Sequence, residues 1–325
     1  MNASYIEEII KKQLDFTLKE TNFLPLGELY RGKVRDNYTK NNIRIIIATD
    51  RISSFDRIIT TIPFKGQILN QVSTFWFEKT KNIVKNHLID APDPNVSVVH
   101  QCQTIPIEMV VRAYITGTMW RNYQKGIATS GILPPKGFKK YQKFDEIIVT
   151  PSTKAEMGHD IYIVKKQILE EKMVNKDIYE QMEEAAIKLF EYGQEYCKKN
   201  GLILVDTKYE FGLKEGELIV IDEIHTQDSS RFWILNSYEE KFEKDEEPEI
   251  LDKEIFRGWL METYPEIFPD IKPDEDIPPI SNDIKIKLSK RYMKSYEKIT
   301  GLVFKPEIGD VNTRIYENLK QANYL

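Results

Sequence analysis

Apolar residues along the chain follow two alternating spacings. In several segments they recur every three or four residues, which is the spacing of one helix face. This spacing predicts amphipathic helices over residues 4–20, 67–85, 167–199 and 282–300. Between these segments lie short apolar and β-branched runs, which predict strands over residues 29–36, 43–48, 105–115, 202–211 and 217–224. Short turn sequences join two pairs of these strands and predict two hairpins.

The first predicted hairpin turns through Asn41-Asn42 and carries basic side chains on one face. Arg31, Lys33 and Arg35 alternate along its first strand, and Gly32 between them permits close backbone approach. A basic strand pair with a glycine can cover nucleotide phosphates. The alternative interpretation is a solvated basic edge strand.

The second predicted hairpin carries alternating charges. Asp206, Lys208 and Glu210 share one face of its first strand. A turn centred near Gly216 places Glu210 opposite Asp222, although a slip of one residue in the register reverses the face. Opposed carboxylates repel unless a cation lies between them, and Mg²⁺ prefers a few carboxylates, water and phosphate oxygens. This pattern indicates a Mg²⁺-nucleotide site. The alternative is an exposed sheet face on which Lys208 neutralises Glu210.

Three further residues are candidates for holding an anion. Arg112 lies inside an apolar strand, so its charge must be paired if it is buried. Thr118 follows that strand, where a hydroxyl and main-chain amides can hold a phosphate. Arg231 offers a planar, bidentate donor fork. For each arginine the alternative is a structural salt bridge.

Two polar segments are candidate ligand-binding loops. Residues 48–56 end a strand in hydroxyls and acids that include Ser54 and Asp56. Residues 150–160 are dense in polar groups and contain few apolar ones, and Lys154 can meet an anionic substrate. The alternatives are a capped turn and a solvated loop.

Composition narrows the class of protein. The 325 residues hold 46 Lys and Arg against 51 Asp and Glu, and a net charge of −5 argues against a nucleic-acid coat protein. Two cysteines are too few for a disulfide scaffold or a four-cysteine zinc site. No apolar run approaches the ~20 residues of a membrane span. We therefore expect a cytoplasmic protein without membrane or nucleic-acid partners.

Two segments of the C-terminal part of the chain predict irregular structure. The charged run over residues 239–249 predicts a solvated loop, and residues 265–279 predict an irregular proline-rich connector.

Six segments occur in the order found in one enzyme family. They are LYRGKVRDNY (29–38), ATDRISSFD (48–56), VVRAYITGT (110–118), TPSTKAEMGHD (150–160), GLILVDTKYEFG (201–212) and IDEIHTQDSSRFW (221–233). Together they resemble the SAICAR synthetases, the phosphoribosylaminoimidazole-succinocarboxamide synthases of purine biosynthesis. The length and the proline-rich C-terminal part resemble the longer form found in yeast. Gln227 departs from the family, which commonly has proline at this position.

The resemblance implies an ATP-dependent C–N ligase with two lobes. The family joins the carboxylate of carboxyaminoimidazole ribonucleotide (CAIR) to the amine of L-aspartate, with cleavage of ATP to ADP and phosphate. It implies an α+β fold with a nucleotide cleft between the lobes, similar to kinase and ATP-grasp sites. We expect an N-terminal lobe over residues 1–110 that covers the ATP phosphates. A C-terminal lobe over residues 111–325 is expected to carry the Mg²⁺ and substrate site and a helical extension. A monomer is also expected.

Site residues follow from the resemblance, position by position. The residues implied for ATP binding are Lys33, Arg35, Lys154, Glu210 and Asp222. Of these, Glu210 and Asp222 are also the implied Mg²⁺ ligands. The residues implied for substrate binding are Ser54, Asp56, Arg112, Thr118, Asp160, Ser230 and Arg231. Lys208 is expected to face the reacting carboxylate or phosphate, and Asp206 is a candidate general base.

Two other classes of function stay open on the residues alone. A small-molecule kinase on a related nucleotide fold would need no aspartate, although the chain lacks the HRD and DFG motifs of protein kinases. A non-catalytic binding or scaffold protein would not bind Mg-ATP. The resemblance favours the ligase over both.

Overall fold

The computed structural model describes residues 3–154, 161–251, 253–272 and 275–325. The helices are α1 (Ala3–Gln13), α2 (Lys65–Thr80), α3 (Gly117–Gln124), α4 (Lys165–Glu170), α5 (Lys176–Lys199), α6 (Leu235–Glu243), α7 (Glu254–Thr263), α8 (Asn282–Thr300) and α9 (Val311–Gln321). The strands are β1 (Glu28–Arg31), β2 (Arg35–Lys40), β3 (Ile43–Ala48), β4 (Arg51–Ser54), β5 (Arg57–Thr61), β6 (Leu88–Asp93), β7 (Val96–His100), β8 (Gln103–Tyr114), β9 (Lys143–Thr153), β10 (Ile161–Tyr162), β11 (Leu202–Lys214), β12 (Glu217–Ile221) and β13 (Ser230–Ile234). These strands pair antiparallel, as the sequence predicts.

Contacts group the chain into two compact units, each assembled from separate stretches of sequence. The first contains residues 1–75, 88–101 and 252–325, and the second contains residues 76–87 and 102–251. Helices α7, α8 and α9 therefore belong with the N-terminal strands, whereas the sequence-based division placed them with the C-terminal lobe. The functional division at residues 110 and 111 stays a prediction.

The first unit is built on a five-stranded sheet in the order β1-β2-β3-β7-β6, beside the β4–β5 hairpin. Helix α9 packs its apolar face on this sheet, where Ile315 and Leu319 are fully buried against Ile45, Ile47 and neighbouring core residues. Full burial of one such side chain contributes roughly 1.5–3 kcal/mol. The C-terminal helix is thus part of the core of this unit.

The proline-rich connector of the first unit packs against the β4–β5 hairpin. At the tip of this hairpin, Phe55 lies 5.2 Å from Phe268 between ring centroids. The Arg257 guanidinium lies 4.8 Å from the Phe55 ring. The described residues of 265–279 form no helix or strand, which confirms the predicted irregular connector.

The second unit is built on a six-stranded sheet. Five strands follow the order β10-β9-β8-β11-β12, and the sixth, β13, also pairs with β11. The long strand β11 pairs with β8 along one edge. Its other edge pairs first with β13, over Leu202–Thr207, and then with β12, over Glu210–Lys214. Because β11 is central, its side chains meet residues from three neighbouring strands.

Helix α5 covers one face of the second unit's sheet. It begins where the Asn175 side chain accepts a hydrogen bond from the Ile178 amide at 2.8 Å, and it ends at Lys199, before Asn200 and Gly201. Gly193 on this helix allows close packing, because a Cβ there would lie 2.9 Å from a Leu204 methyl carbon and 2.3 Å from the His225 ring.

Several predicted segments differ from the observed ones. The helix predicted over 4–20 ends at Gln13, and the polar segments predicted as loops contribute residues 51–54 to β4 and residues 150–153 to β9. The long helix over 167–199 is divided into α4 and α5, and the acidic run over 239–249 begins inside helix α6 rather than in a loop. The predicted strand over 29–36 is wrong at its centre. Residues 32–34 form the turn between β1 and β2, closed by the Gly32 amide donating to the Arg35 carbonyl at 2.8 Å. In the described parts of the chain, no helix is both long enough and apolar enough to cross a bilayer.

The core of the second unit contains a buried histidine. The ring of His225 lies 4.6 Å from that of Trp76, and Nε2 of His225 is hydrogen-bonded to the Tyr209 hydroxyl. Burial lowers the pKa of His225 to about 3. The folded protein therefore holds this imidazole neutral down to acidic pH, whereas the unfolded chain binds a proton near pH 6.5.

We predict that His225→Gln flattens the pH dependence of stability. As pH falls from about 6.5 towards 3, unfolding takes up a proton at His225, so the wild type loses up to about 1.4 kcal/mol per pH unit from this group. Urea unfolding at several pH values between 7 and 4 measures the slope. His100→Gln, at a half-buried position, is the control. Equal slopes for the wild type and His225→Gln would contradict the prediction.

Candidate active site

A cluster of lysines and carboxylates lies on three neighbouring strands of the second unit. Glu210 on β11 is directly opposite Glu108 on β8. Lys208 Nζ lies 2.6 Å from Glu108 Oε1 and 3.4 Å from Glu210 Oε1, and Lys154 contacts Glu210 Oε2. Both carboxylates are buried, whereas the Lys154 and Lys208 side chains are 44% and 34% exposed. The accessible part of the cluster is therefore cationic.

The register of the hairpin differs by one residue from the sequence-based placement. Glu210 lies opposite Ile221, not Asp222. Asp222 follows the end of β12 with a φ of 67°, in the left-handed region. It nevertheless belongs to the same electrostatic cluster, because its carboxylate raises the pKa of both Lys154 and Lys208. The opposed carboxylates are Glu108 and Glu210, and lysine supplies the cation between them.

Both lysines are held in the charged form. Burial lowers the pKa of Lys208, but the carboxylates of Glu108, Glu210 and Asp222 outweigh this effect and leave the pKa raised. The pKa of Lys154 is raised in the same way, with burial opposed by Glu210 and Asp222. The two ammonium groups are donors and positive charges at neutral pH, not proton acceptors.

The Asp206 carboxylate forms ion pairs with two guanidinium groups, that of the buried Arg112 and that of the half-buried Arg231. Its Oδ2 accepts from Arg112 Nη1 at 2.8 Å and from Arg231 Nη1 at 2.6 Å. Arg112 also donates to Thr150 Oγ1 at 3.0 Å and to the Tyr162 hydroxyl at 3.0 Å. The prediction that a buried Arg112 is paired is confirmed. Asp206 thereby fixes two arginines side by side.

The start of helix α3 lies against one of these arginines. Gly117 has a φ of 56°, and a Cβ there would lie 2.6 Å from Arg231 Nη2. Thr118 is next in the chain, and its Oγ1 accepts from Arg121 at 2.6 Å. A glycine is required here because it permits both the left-handed backbone and the close approach of the guanidinium. The structure thus places Arg231 against Gly117, the residue that precedes Thr118.

Ser230 is separated from this cluster. It lies opposite Thr207 on β11, whereas Arg231 lies opposite Asp206. Successive side chains of a strand point to opposite faces. The Ser230 hydroxyl is 2.7 Å from Thr207 Oγ1. Its contacts therefore support the loop that precedes Arg231 rather than the face that carries Asp206.

The first unit holds the remaining described candidates. Lys33, on the turn between β1 and β2, is ion-paired with Asp56 at the tip of the β4–β5 hairpin. Arg35 begins β2, and Ser54 is buried at the end of β4. Asp160 lies outside the described residues.

Three contributors were missed by sequence reasoning. Glu108, Thr150 and Tyr162 contact Lys208 or Arg112. The sequence contained a usable pattern for Glu108, because it is four residues from Arg112 in an apolar strand and so shares its face. No comparable pattern identified Thr150 or Tyr162, whose partner lies on another strand.

A family model described as SAICAR synthetase matches residues 28–270. The chain belongs to this family. A phosphoribosylaminoimidazole-succinocarboxamide synthase of Legionella pneumophila (strain Paris) is 43% identical over 316 residues, covering 95% of this chain and 99% of its own length.

Solved structures of the family have the same fold. A Saccharomyces cerevisiae SAICAR synthase complexed with SAICAR gives a TM-score of 0.75 at 34% identity, covering 89% of this chain and 100% of that one. A Type-2 SAICAR synthetase in complex with ADP gives 0.65 at 26% identity, covering 86% and 100%. As a SAICAR synthetase, the chain catalyses the ATP-dependent ligation of L-aspartate to CAIR in purine biosynthesis.

The residues of the cluster suit a magnesium ion that arrives with a nucleotide. Glu210 and Asp222 offer hard oxygen ligands and act on the same two lysines. The described residues contain no group of three or more acidic, histidine or cysteine side chains that forms a metal site alone. A Mg²⁺ ion held here would therefore complete its shell with phosphate oxygens and water.

We predict that Gly117→Ala raises the KM for CAIR by roughly ten- to hundred-fold, since the new Cβ displaces the Arg231 guanidinium. The KM for ATP should change little. Gly126→Ala is the matched control, because Gly126 has a φ of 69° but no atom within 4 Å of its added Cβ. Steady-state kinetics on both variants make the comparison. Similar KM values for CAIR in the two variants would refute the expected role of Arg231 in binding CAIR.

Proposed function

We propose that this SAICAR synthetase activates the CAIR carboxylate as an acyl phosphate and that the face of β11 carries the reaction. The observation that carries the proposal is the row Asp206, Lys208 and Glu210, which places an arginine-binding carboxylate, a cation and a buried acid on alternate residues of one strand. A carboxylate is a poor electrophile, and phosphorylation supplies a leaving group.

The two steps balance without a further reactant. A CAIR carboxylate oxygen attacks the γ-phosphorus of ATP, the bond from that phosphorus to the β,γ-bridging oxygen breaks, and ADP leaves. The aspartate amine then attacks the acyl carbon, the carbon–oxygen bond to phosphate breaks, and the amine loses a proton. Such phosphoryl transfer needs mainly positioning and stabilisation of charge.

In this proposal Lys208 and Lys154 stabilise negative charge on the transferred phosphoryl group. Their charged state, enforced by the neighbouring carboxylates, supports this role. Lys33 and Arg35 contact the ATP phosphates. Bound Mg²⁺, held by Glu210 and Asp222, would neutralise further phosphate charge.

Arg112, Arg231 and Thr118 hold the phosphate of CAIR in this proposal. Both arginines are oriented by Asp206, and Thr118 lies at the start of a helix, where main-chain amides favour an anion. Asp206 is a positioning residue rather than the general base proposed from the sequence.

The remaining assignments are part of the same proposal. Ser54, Asp56 and Asp160 contact substrate, and Ser230 supports the loop that precedes Arg231. The enzyme acts as a cytoplasmic monomer. Size-exclusion chromatography with light scattering measures the oligomeric state.

The acyl phosphate is tested by isotope exchange. With ATP labelled by ¹⁸O at the β,γ-bridge, enzyme and CAIR should scramble the label when aspartate is omitted, because reversible transfer frees the β-phosphate to rotate. Net release of ADP and phosphate at the full rate should require aspartate. A stable phosphorylated CAIR without aspartate would favour a kinase, and no scrambling would count against a reversible acyl phosphate.

We also predict that Lys208→Ala lowers kcat by about 100-fold or more, because one charge is lost at the transferred phosphoryl group. Lys214→Ala, at the end of the same strand, should keep kcat within about two-fold. Circular dichroism and rapid-quench kinetics distinguish misfolding from a slow chemical step. A wild-type rate in Lys208→Ala would exclude the proposed role.

A further inference from the structure

Arg51 donates two of its four side-chain hydrogen bonds to main-chain carbonyls of the turn between β1 and β2. Its Nε donates to the Lys33 carbonyl at 3.0 Å, and its Nη2 donates to the Gly32 carbonyl at 3.0 Å and to Asp36 Oδ1 at 2.8 Å. Nη1 donates to the Lys19 carbonyl. Only 8% of the Arg51 side chain is exposed, so these protein acceptors take the place of water.

Asp36 fixes the orientation of this guanidinium. The Asp36 carboxylate is fully buried, and its Oδ2 accepts from the Thr21 amide at 2.7 Å and from Thr21 Oγ1 at 3.0 Å. Since its Oδ1 accepts from Arg51, both oxygens are used. The arginine is therefore held on one side by a rigid carboxylate and holds the turn on its other side.

Besides Arg51, the turn has few side-chain contacts: the Lys33 ammonium is ion-paired with Asp56, and Thr49 Oγ1 donates to the Val34 carbonyl at 2.8 Å. Gly32 has no side chain, and the Lys33 side chain is 54% exposed. Main-chain bonds close its ends, from the Gly32 amide to the Arg35 carbonyl and from the Thr49 amide to the Val34 carbonyl. The peptide groups between these ends are oriented chiefly by Arg51.

The orientation of the turn's carbonyls determines where its main-chain amides point. In a trans peptide the carbonyl and the following N–H point in opposite directions. Because the Gly32 and Lys33 carbonyls point at Arg51, the N–H groups of Lys33 and Val34 point away from it. Two successive amides turned to one side form a concave donor pair that suits an anion.

We propose that Arg51 is a positioning residue for ATP: it holds the carbonyls of the turn inward so that the Lys33 and Val34 amides and the Lys33 side chain face the phosphates. Arg51 contacts no nucleotide in this scheme. The inference rests on the proposed function of the turn, which assigns Lys33 and Arg35 to the ATP phosphates.

Arg51→Lys tests the inference. Lysine keeps a cation beside Asp36 but lacks the planar fork that reaches several acceptors at once. Loss of two or more charge-assisted hydrogen bonds to the turn should weaken ADP binding by about ten-fold. Isothermal titration with ADP alone, together with KM values for ATP, CAIR and aspartate, separates a defect at the turn from general damage. Only the ADP affinity and the KM for ATP should change.

Arg44→Lys is the control, because Arg44 lies opposite Thr39, at the end of β3 away from the turn.

A double-mutant cycle with Lys33→Ala separates this inference from the proposed function. If Arg51 acts through the turn, the effects of Arg51→Lys and Lys33→Ala on ADP affinity are coupled rather than additive. If Lys33→Ala weakens ADP binding but Arg51→Lys does not, the inference fails and the proposed function of the turn stands. If Lys33→Ala leaves ADP affinity unchanged, the proposed function of the turn fails. Equal losses for all three substrates in Arg51→Lys would also overturn the inference, because they indicate general destabilisation.

Discussion

The pairing register between β8 and β11 determines which charges meet in the second unit. It places Asp206 opposite Arg112 and Glu210 opposite Glu108. Each buried carboxylate must then find a cation, because an unpaired charge in a protein interior is costly. Asp206 meets two arginines, while Glu108 and Glu210 share lysines that reach the more exposed edge of the cluster. One strand register thus produces an arginine pair and a lysine pair within a few residues of each other.

In the proposed mechanism these ion pairs serve chemistry as well as stability. Removing water from a lysine lowers its pKa, yet three carboxylates around Lys208 reverse that effect. The accessible edge of the cluster therefore carries fixed positive charge, which the proposed mechanism uses to bind anionic groups. Gly117 contributes by what it lacks, since any side chain there would collide with Arg231. Electrostatic preorganisation of this kind suits a phosphoryl transfer, in which little covalent work falls to the protein.

In the first unit, the exposed turn over residues 32–34 has almost no side-chain packing to hold it. Arg51 does so through main-chain carbonyls, and Asp36 holds Arg51. The β4–β5 hairpin is supported in a comparable way by Phe268 and Arg257, which come from a distant part of the sequence. In both places a residue expected to touch substrate is oriented by residues that do not.

The sequence by itself determined the antiparallel hairpins, which depend on local periodicity and turn residues. It also determined the family and, through the family, the α+β class, which depend on the order of the motifs. It also determined that Asp206, Lys208 and Glu210 share a face, because strand side chains alternate. Only the tertiary structure decided which residues lie across from them. A shift of one residue in the β11–β12 register made Ile221 rather than Asp222 the neighbour of Glu210. Pairing of the other edge of β11 with β8, about a hundred positions earlier in the chain, placed Glu108 opposite Glu210. Likewise, the pattern around Lys33 read as a strand, whereas long-range bonds from Arg51 hold it as a turn. Local patterns specify which face a residue occupies, but contacts between distant segments specify its partners, and the partners set its charge and its chemistry.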